Sequence, residues 1–114
     1  MARAPTTLDP FNAIAEKKRR QVLEALADGE RPVNDLVASL GWPQPQVSKH
    51  LDVLKKVGLV SVRRLSRQRL YKLNADQLKP IHDWVKTFER FWQHQLDRVK
   101  ERAEAKAKKV QVPK

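Results

Sequence analysis

Apolar residues along this chain recur in blocks whose spacing changes from helical to alternating and back. Asp9 followed by Pro10 predicts a helix start, because a carboxylate can accept from free first-turn amides and proline loses nothing at the first helical position. Phe11, Ile14, Ala15, Val22, Leu23, Leu26 and Ala27 follow, interrupted by the basic run Lys17 to Arg20. That interruption predicts a short helix and then a longer one ending near Asp28-Gly29. Glu30 to Pro32 reads as a turn. Val33, Leu36, Val37 and Leu40 predict an amphipathic helix of about two turns, closed by Gly41. On a helix over 44–57, Val47, Leu51, Leu54 and Val57 share one face with His50 at its edge, and Gly58 ends it. The runs LVSVRR and RLYKL, rich in β-formers, flank Leu65 to Gln68 and predict a hairpin, although that turn lacks the usual Gly or Asn. From Ala75 the helical period returns. Leu78, Ile81, Val85, Phe88, Trp92 and Val99, widened by Trp84, Phe91 and Leu96, predict one long helix reaching about Lys108.

The expected fold class is therefore mainly α with a small β-hairpin (α+β), in the order α-α-α-α-β-β-α. Residues 1–8 are expected to be a flexible lead, 9–100 a single domain and 101–114 a basic helical tail that frays at its end.

The helix over 44–57 poses a chemical question. A surface helix needs a polar face, but its first turns gather Gln44, Gln46, Ser48 and Lys49, where the helix dipole would favour acids. Those residue types suit a major groove: Gln can bond adenine in bidentate fashion, Lys can donate to guanine, and Ser reaches base edges or phosphate. Free amides at a helix N-terminus also suit phosphate. With the preceding VNDLVASLG helix and its Gly turn, the pattern is a helix-turn-helix whose second helix presents its first turns to DNA. Charge strengthens this reading. The chain carries 24 Lys plus Arg against 13 Asp plus Glu, a formal charge of +11, which suits a polyanionic partner.

DLVASLGWPQPQVSKHLDVLKKVGLVSVRR followed by RLYKLN closely resembles the winged helix-turn-helix of the ArsR/SmtB family of bacterial transcriptional repressors. QPQVSKHLDVLKKVGLV is its most specific part, matching the family's Q-x-x-V-S-x-H-L-x-x-L-x-x-x-G-L-V pattern, and FNAIAEKKRRQVLEALADGE resembles the family's first two helices. The resemblance implies a DNA-binding transcriptional regulator, and repression is the family's habit. It implies a recognition helix over 44–57, with Gln44, Pro45, Gln46, Ser48, Lys49 and His50 in the DNA-contacting set. The hairpin, over 59–73, would be the wing, with Arg63, Arg64, Arg67 and Arg69 near backbone phosphates. His50, at the edge of an apolar face, suits packing or phosphate contact better than base reading. Two departures stand out: Pro43 replaces a Ser or Thr cap, and the wing lacks its common Gly.

The resemblance also implies a homodimer built on the first and last helices, which would explain so broad an aromatic band near the C-terminus. Phe11, Ile14, Trp84, Phe88, Phe91, Trp92 and Leu96 are the expected interface residues. A two-fold dimer predicts an inverted-repeat operator in double-stranded DNA. Many members of that family release DNA on binding metal, but the residues here do not follow the ligand patterns. The chain has no cysteine, so a thiolate site on the helix before the recognition helix is excluded. In the last helix Pro80 stands where an acid would precede His82, and Gln93 stands where the second His would be, with His94 one residue late. His94 and Asp97 alone make a weak ligand set. No metal and no cofactor is expected.

An enzyme is not expected either. Glycines 29, 41 and 58 all read as helix ends or turns, and Ser48 and His50 lie about 200° apart on a helix. A sequence-tolerant architectural binder of DNA or RNA is the main rival, and a protein-interaction module a weaker one. With no apolar run approaching about 18 residues and no apolar leader, a membrane span is not expected and a cytoplasmic protein is.

Overall fold

A computed structural model describes residues 9–110, with side chains described as far as Lys106. The expected flexible lead over residues 1–8, and the chain end after Val110, lie outside the described residues. The chain forms two compact units, one running to Ile81 and the other beginning at His82.

In the first unit, α1 (Pro10–Ile14) starts as its residues predict: the Asp9 side chain accepts from the Asn12 amide at 2.9 Å, with Pro10 in the first turn. The basic run that interrupts the apolar stripe has a structural use. Arg19 donates to the carbonyls of Ala13 and Asn12, and Arg20 to those of Ile14 and Ala15, so the two guanidiniums cap the end of α1, where of these four carbonyls Asn12 also accepts the Ala15 amide. The next helix, α2 (Lys17–Ala25), ends slightly earlier than expected, and turns carry the chain to Gly29. A short strand β1 (Arg31–Pro32) follows where the sequence pattern indicated only a turn. Then come α3 (Val33–Leu40) and α4 (Gln44–Val57), with the boundaries expected.

Both of those helices end on a glycine in the left-handed region, Gly41 at φ 73° and Gly58 at φ 92°. After α4 the Leu59 amide reaches back to the Leu54 carbonyl at 3.0 Å, a Schellman closure that only a residue without Cβ enters at little cost. Strands β2 (Val60–Leu65) and β3 (Gln68–Leu73) form the hairpin, and β1 adds to its other side, giving an antiparallel sheet in the order β1-β3-β2. Pro32 is tolerated there because β1 is an edge strand. The hairpin loop is two residues, Ser66 and Arg67. Ser66 takes φ 59°, so the turn uses a serine where glycine is usual. This is a winged helix-turn-helix.

The core lies where α2, α3, α4 and β2 meet. Val22, Leu36, Val47, Leu51, Leu54 and Leu59 are fully enclosed. At roughly 1.5–3 kcal/mol for each large apolar side chain removed from water, this cluster fixes α4 against the body of the domain. Gln44, Lys49, Asp52, Lys55 and Lys56 of α4 are thereby held outward.

The expected single C-terminal helix is broken. A 3₁₀ turn (Ala75–Leu78) leads into α5 (Lys79–Lys86), and α6 (Glu89–Val110) begins after an interruption at Thr87 and Phe88. The cause is local. The Thr87 hydroxyl donates to the Trp84 carbonyl at 2.6 Å, and the Thr87 and Phe88 amides bond three residues back instead of four. Within the second unit Trp84, Phe88, Phe91, Trp92, Leu96 and Val99 are exposed, and Trp84 meets Phe88 edge-on at 5.2 Å.

Candidate nucleic-acid interface

The first turns of α4 are built without a side-chain cap. Pro43 precedes the helix, Pro45 has no amide, and the amides of Gln46 and Val47 already bond to the Pro43 carbonyl at 3.0 and 3.2 Å. The expected cradle of free amides is therefore largely absent, so an anion at this helix start would have to be held by side chains.

Around the helix axis the polar residues separate into three groups, since each residue turns the side chain by about 100°. Gln44 and Ser48 lie on the flank that faces the wing. Pro45 and Lys49 are exposed on the outermost face. Gln46 lies about 200° from Gln44, on the opposite flank, and is half-buried. Between α4, the start of α3 and the wing runs an open groove of about 400 Å³ lined by Gln44, Ser48, Arg64, Arg67, Arg69, Gln68, Asn34 and Tyr71, among others. The groove brings the expected Gln44 and Ser48 together with three of the four expected arginines. Gln46 and Lys49 are not among its walls.

Register explains why the arginines converge. Val62 faces Tyr71 and Arg64 faces Arg69 across the hairpin, so these four share one face of the sheet. Two arginines directly opposite each other repel, a destabilising arrangement unless an anion lies between or beside them. Asn34, Gln68 and Tyr71 were not anticipated as groove residues. Asn34 belongs to a helix start whose proximity to the wing no local pattern records.

Arg63 and His50 are placed differently from the rest of their sets. Arg63 donates two hydrogen bonds to the Glu30 carboxylate, Nε to Oε2 at 2.7 Å and Nη2 to Oε1 at 2.8 Å. The hydrogen bond from Arg63 holds the Glu30 carboxyl below its ordinary range, and that bond likewise raises the Arg63 guanidinium. His50 is only 4% exposed. Its ring meets Trp42 edge-on at 6.1 Å, its Nε2 lies 3.8 Å from Glu16, and its Nδ1 has no hydrogen-bond partner among the described residues. Burial pushes the imidazole pKa down. Glu16 opposes that shift, and Arg19, Lys49 and Lys18 reinforce it. The structure thus turns His50 into the interior beside Trp42, away from the exposed face of α4 on which it was expected with Pro45 and Lys49.

The interface residues proposed for a dimer also divide. Phe11 is exposed, whereas Ile14 is half-buried against the first unit's core. In the second unit, His82 lies 3.5 Å from Asp83, and Gln93 donates to Asp97 at 3.1 Å. Among the described residues no three His, Cys, Asp or Glu side chains converge as a metal site would require. No helix among them is long and apolar enough to cross a membrane.

Residues 16–62 match the family model described as bacterial regulatory protein, arsR family. The chain is 30% identical over 78 residues to the transcriptional repressor SdpR of Bacillus subtilis, covering 68% of this chain and 87% of that protein. It is 36% identical over 74 residues to the HTH-type transcriptional regulator KmtR of Mycobacterium tuberculosis, covering 65% of this chain but only 57% of that one. Among solved structures, it resembles a homodimeric winged helix-turn-helix DNA-binding domain from Mycobacterium bovis, a possible ArsR-family regulator. That match has a TM-score of 0.59 and 29% identity, covering 74% of this chain and 80% of the other.

Proposed function

The chain belongs to the arsR family of bacterial regulatory proteins, as a transcriptional regulator, and we propose that it represses transcription by binding an inverted-repeat operator as a homodimer. In this reading α4 enters the major groove and the wing lies along the flanking backbone. The observation that carries it is the groove in which Gln44 and Ser48 face Arg64, Arg67 and Arg69. Amide and hydroxyl groups suited to base edges stand beside guanidiniums suited to phosphates, and a duplex is a ligand that offers both.

Lys49 and Pro45, on the outermost face of α4, would approach the bases beside Gln44. Gln46 would reach DNA only from the far flank. His50 would act through the packing of α4 and not by touching a base. Repression is the activity that SdpR's name carries, and it is the direction proposed here. The exposed Phe88, Phe91, Trp92 and Leu96 of the second unit are proposed for pairing two copies, and so, separately, is the exposed Phe11 of the first. Such an apolar band, left in water, would cost roughly 25 cal/mol for each Å² that a partner could cover. The homodimeric state of the Mycobacterium bovis domain supports this assignment. Two recognition helices related by a two-fold axis would meet half-sites about 34–36 Å apart.

The test is selection of bound duplexes from a random library by purified protein at about 150 mM salt. An inverted repeat, lost in a Gln44→Ala, Lys49→Ala double variant, is the expected result. Recovery of no motif, with binding that collapses as salt rises, would mean a sequence-tolerant backbone binder instead.

A further inference from the structure

The wing leaves the body of the domain along one row of the sheet. In that row Arg63 of β2 faces Leu70 of β3, and Leu70 in turn faces Pro32 of β1. Beyond the row, β1 supplies no further partner among the described residues, and the hairpin runs out through Arg64, Arg69 and the Ser66-Arg67 turn. The base of the wing is therefore the place where its angle to α4 is decided.

Glu30 sits just before β1, and Arg63 reaches it across β3, spanning 33 residues of sequence. The two hydrogen bonds are short, at 2.7 and 2.8 Å, and fix the planes of both groups. Leu70 lies between them in register and is only 9% exposed, so the pair also closes over an apolar side chain at the hinge. A lone salt bridge on a surface contributes little to global stability. Its leverage here is positional, because the tip bears Arg64 directly opposite Arg69, and their repulsion works against any fixed tip geometry.

We infer that Glu30 and Arg63 form a clamp at the base of the wing that positions Arg64, Arg67 and Arg69 against α4, and that Arg63 is a positioning residue and not a phosphate contact. This inference rests on the DNA-binding reading above, and it makes a prediction of unusual sign. Removing the negative charge of Glu30 from a protein that binds a polyanion should, on Coulomb grounds alone, tighten binding. Loss of the clamp should weaken it.

The experiment compares wild type, Glu30→Gln, Arg63→Gln and the exchanged Glu30→Arg, Arg63→Glu double variant. The probe is a fluorescein-labelled duplex from the selected pool, titrated over a range of salt. Backbone amide exchange of residues 64–69 is measured on each free protein. Both single variants are expected to bind about three- to fivefold more weakly, a change set by the modest strength of an exposed ion pair. Their salt slopes should match wild type, because no phosphate contact is lost. Wing amides should exchange faster in both, and the exchanged pair should return affinity to within about twofold of wild type. The inference is overturned if Glu30→Gln binds as well as or better than wild type while Arg63→Gln loses about one unit of salt slope, which would make Arg63 an ordinary phosphate contact. Should wild type bind no duplex at all, the DNA reading falls, and the exchange data still decide the clamp: unchanged wing protection in both single variants rejects it.

Discussion

Replacing His50 by leucine should stabilise the protein, and by more in acid than at neutral pH. The residue is 4% exposed, and its Nδ1 has no hydrogen-bond partner among the described residues. A buried polar atom left unpaired costs roughly 1–3 kcal/mol. Leucine removes that cost but also the edge-on contact with Trp42, whose aromatic contribution is about 0.5–1.5 kcal/mol. The balance at pH 7.5 is a gain of about 0.5–1.5 kcal/mol, a rise in melting temperature of roughly 2–6 °C for a domain of this size. Burial is the largest influence on the imidazole and lowers its pKa, so the folded-state value lies below the unfolded value of about 6.5. As pH falls through that value the unfolded chain takes up the proton first. The stability present above about pH 6.5 is then lost as pH drops toward the folded-state pKa. Leucine has no such loss, so its advantage must widen between pH 7.5 and 5.5. His82 and His94 are exposed and common to both proteins, so their effects cancel. The assay is thermal unfolding by circular dichroism at three pH values and one fixed protein concentration, since dimerisation would make the midpoint depend on concentration. An advantage that stays constant with pH, or a leucine variant less stable than wild type at pH 7.5, would refute the placement of an unpaired imidazole in the interior. DNA affinity should remain within about twofold of wild type, because the ring does not face the groove.

Arg64→Gln and Arg69→Gln should each lower the slope of log affinity against log salt by about 0.9, read from anisotropy titrations, if each neutralises one phosphate. Trp92→Glu should convert the protein to a monomer in sedimentation equilibrium and weaken operator binding by at least about tenfold, because a dimer gains a second half-site. Gly58→Ala should cost about 1–2 kcal/mol in urea unfolding. Among the described residues, none beyond its two chain neighbours lies within 4 Å of the added Cβ, so the cost comes from the left-handed φ of 92°.

Much of this protein was legible in the sequence because the deciding interactions are local. Each helix of the helix-turn-helix is closed by bonds spanning a few residues, and Gly41 and Gly58 mark where only a residue without Cβ fits. The apolar face of α4 follows from periodicity, and so does the outward placement of Gln44, Ser48 and Lys49. Resemblance carried the rest of the way to the family. Tertiary structure decided what depends on distant partners or on competition between near-equal local options. Strand β1 is two residues long and exists because Leu70 and Tyr71 of β3, far along the chain, pair with it. Glu30 looked like part of a turn until folding brought Arg63 to it. Thr87 continues the helical pattern of apolar residues around it, yet its hydroxyl competes for the Trp84 carbonyl and breaks the helix. His50 lies at the edge of an apolar face, and Trp42 from the turn before α4, with Glu16 from the start of α2, encloses it in the interior. The period of a helix is written residue by residue, whereas the company each side chain keeps is set by which segments the core draws together.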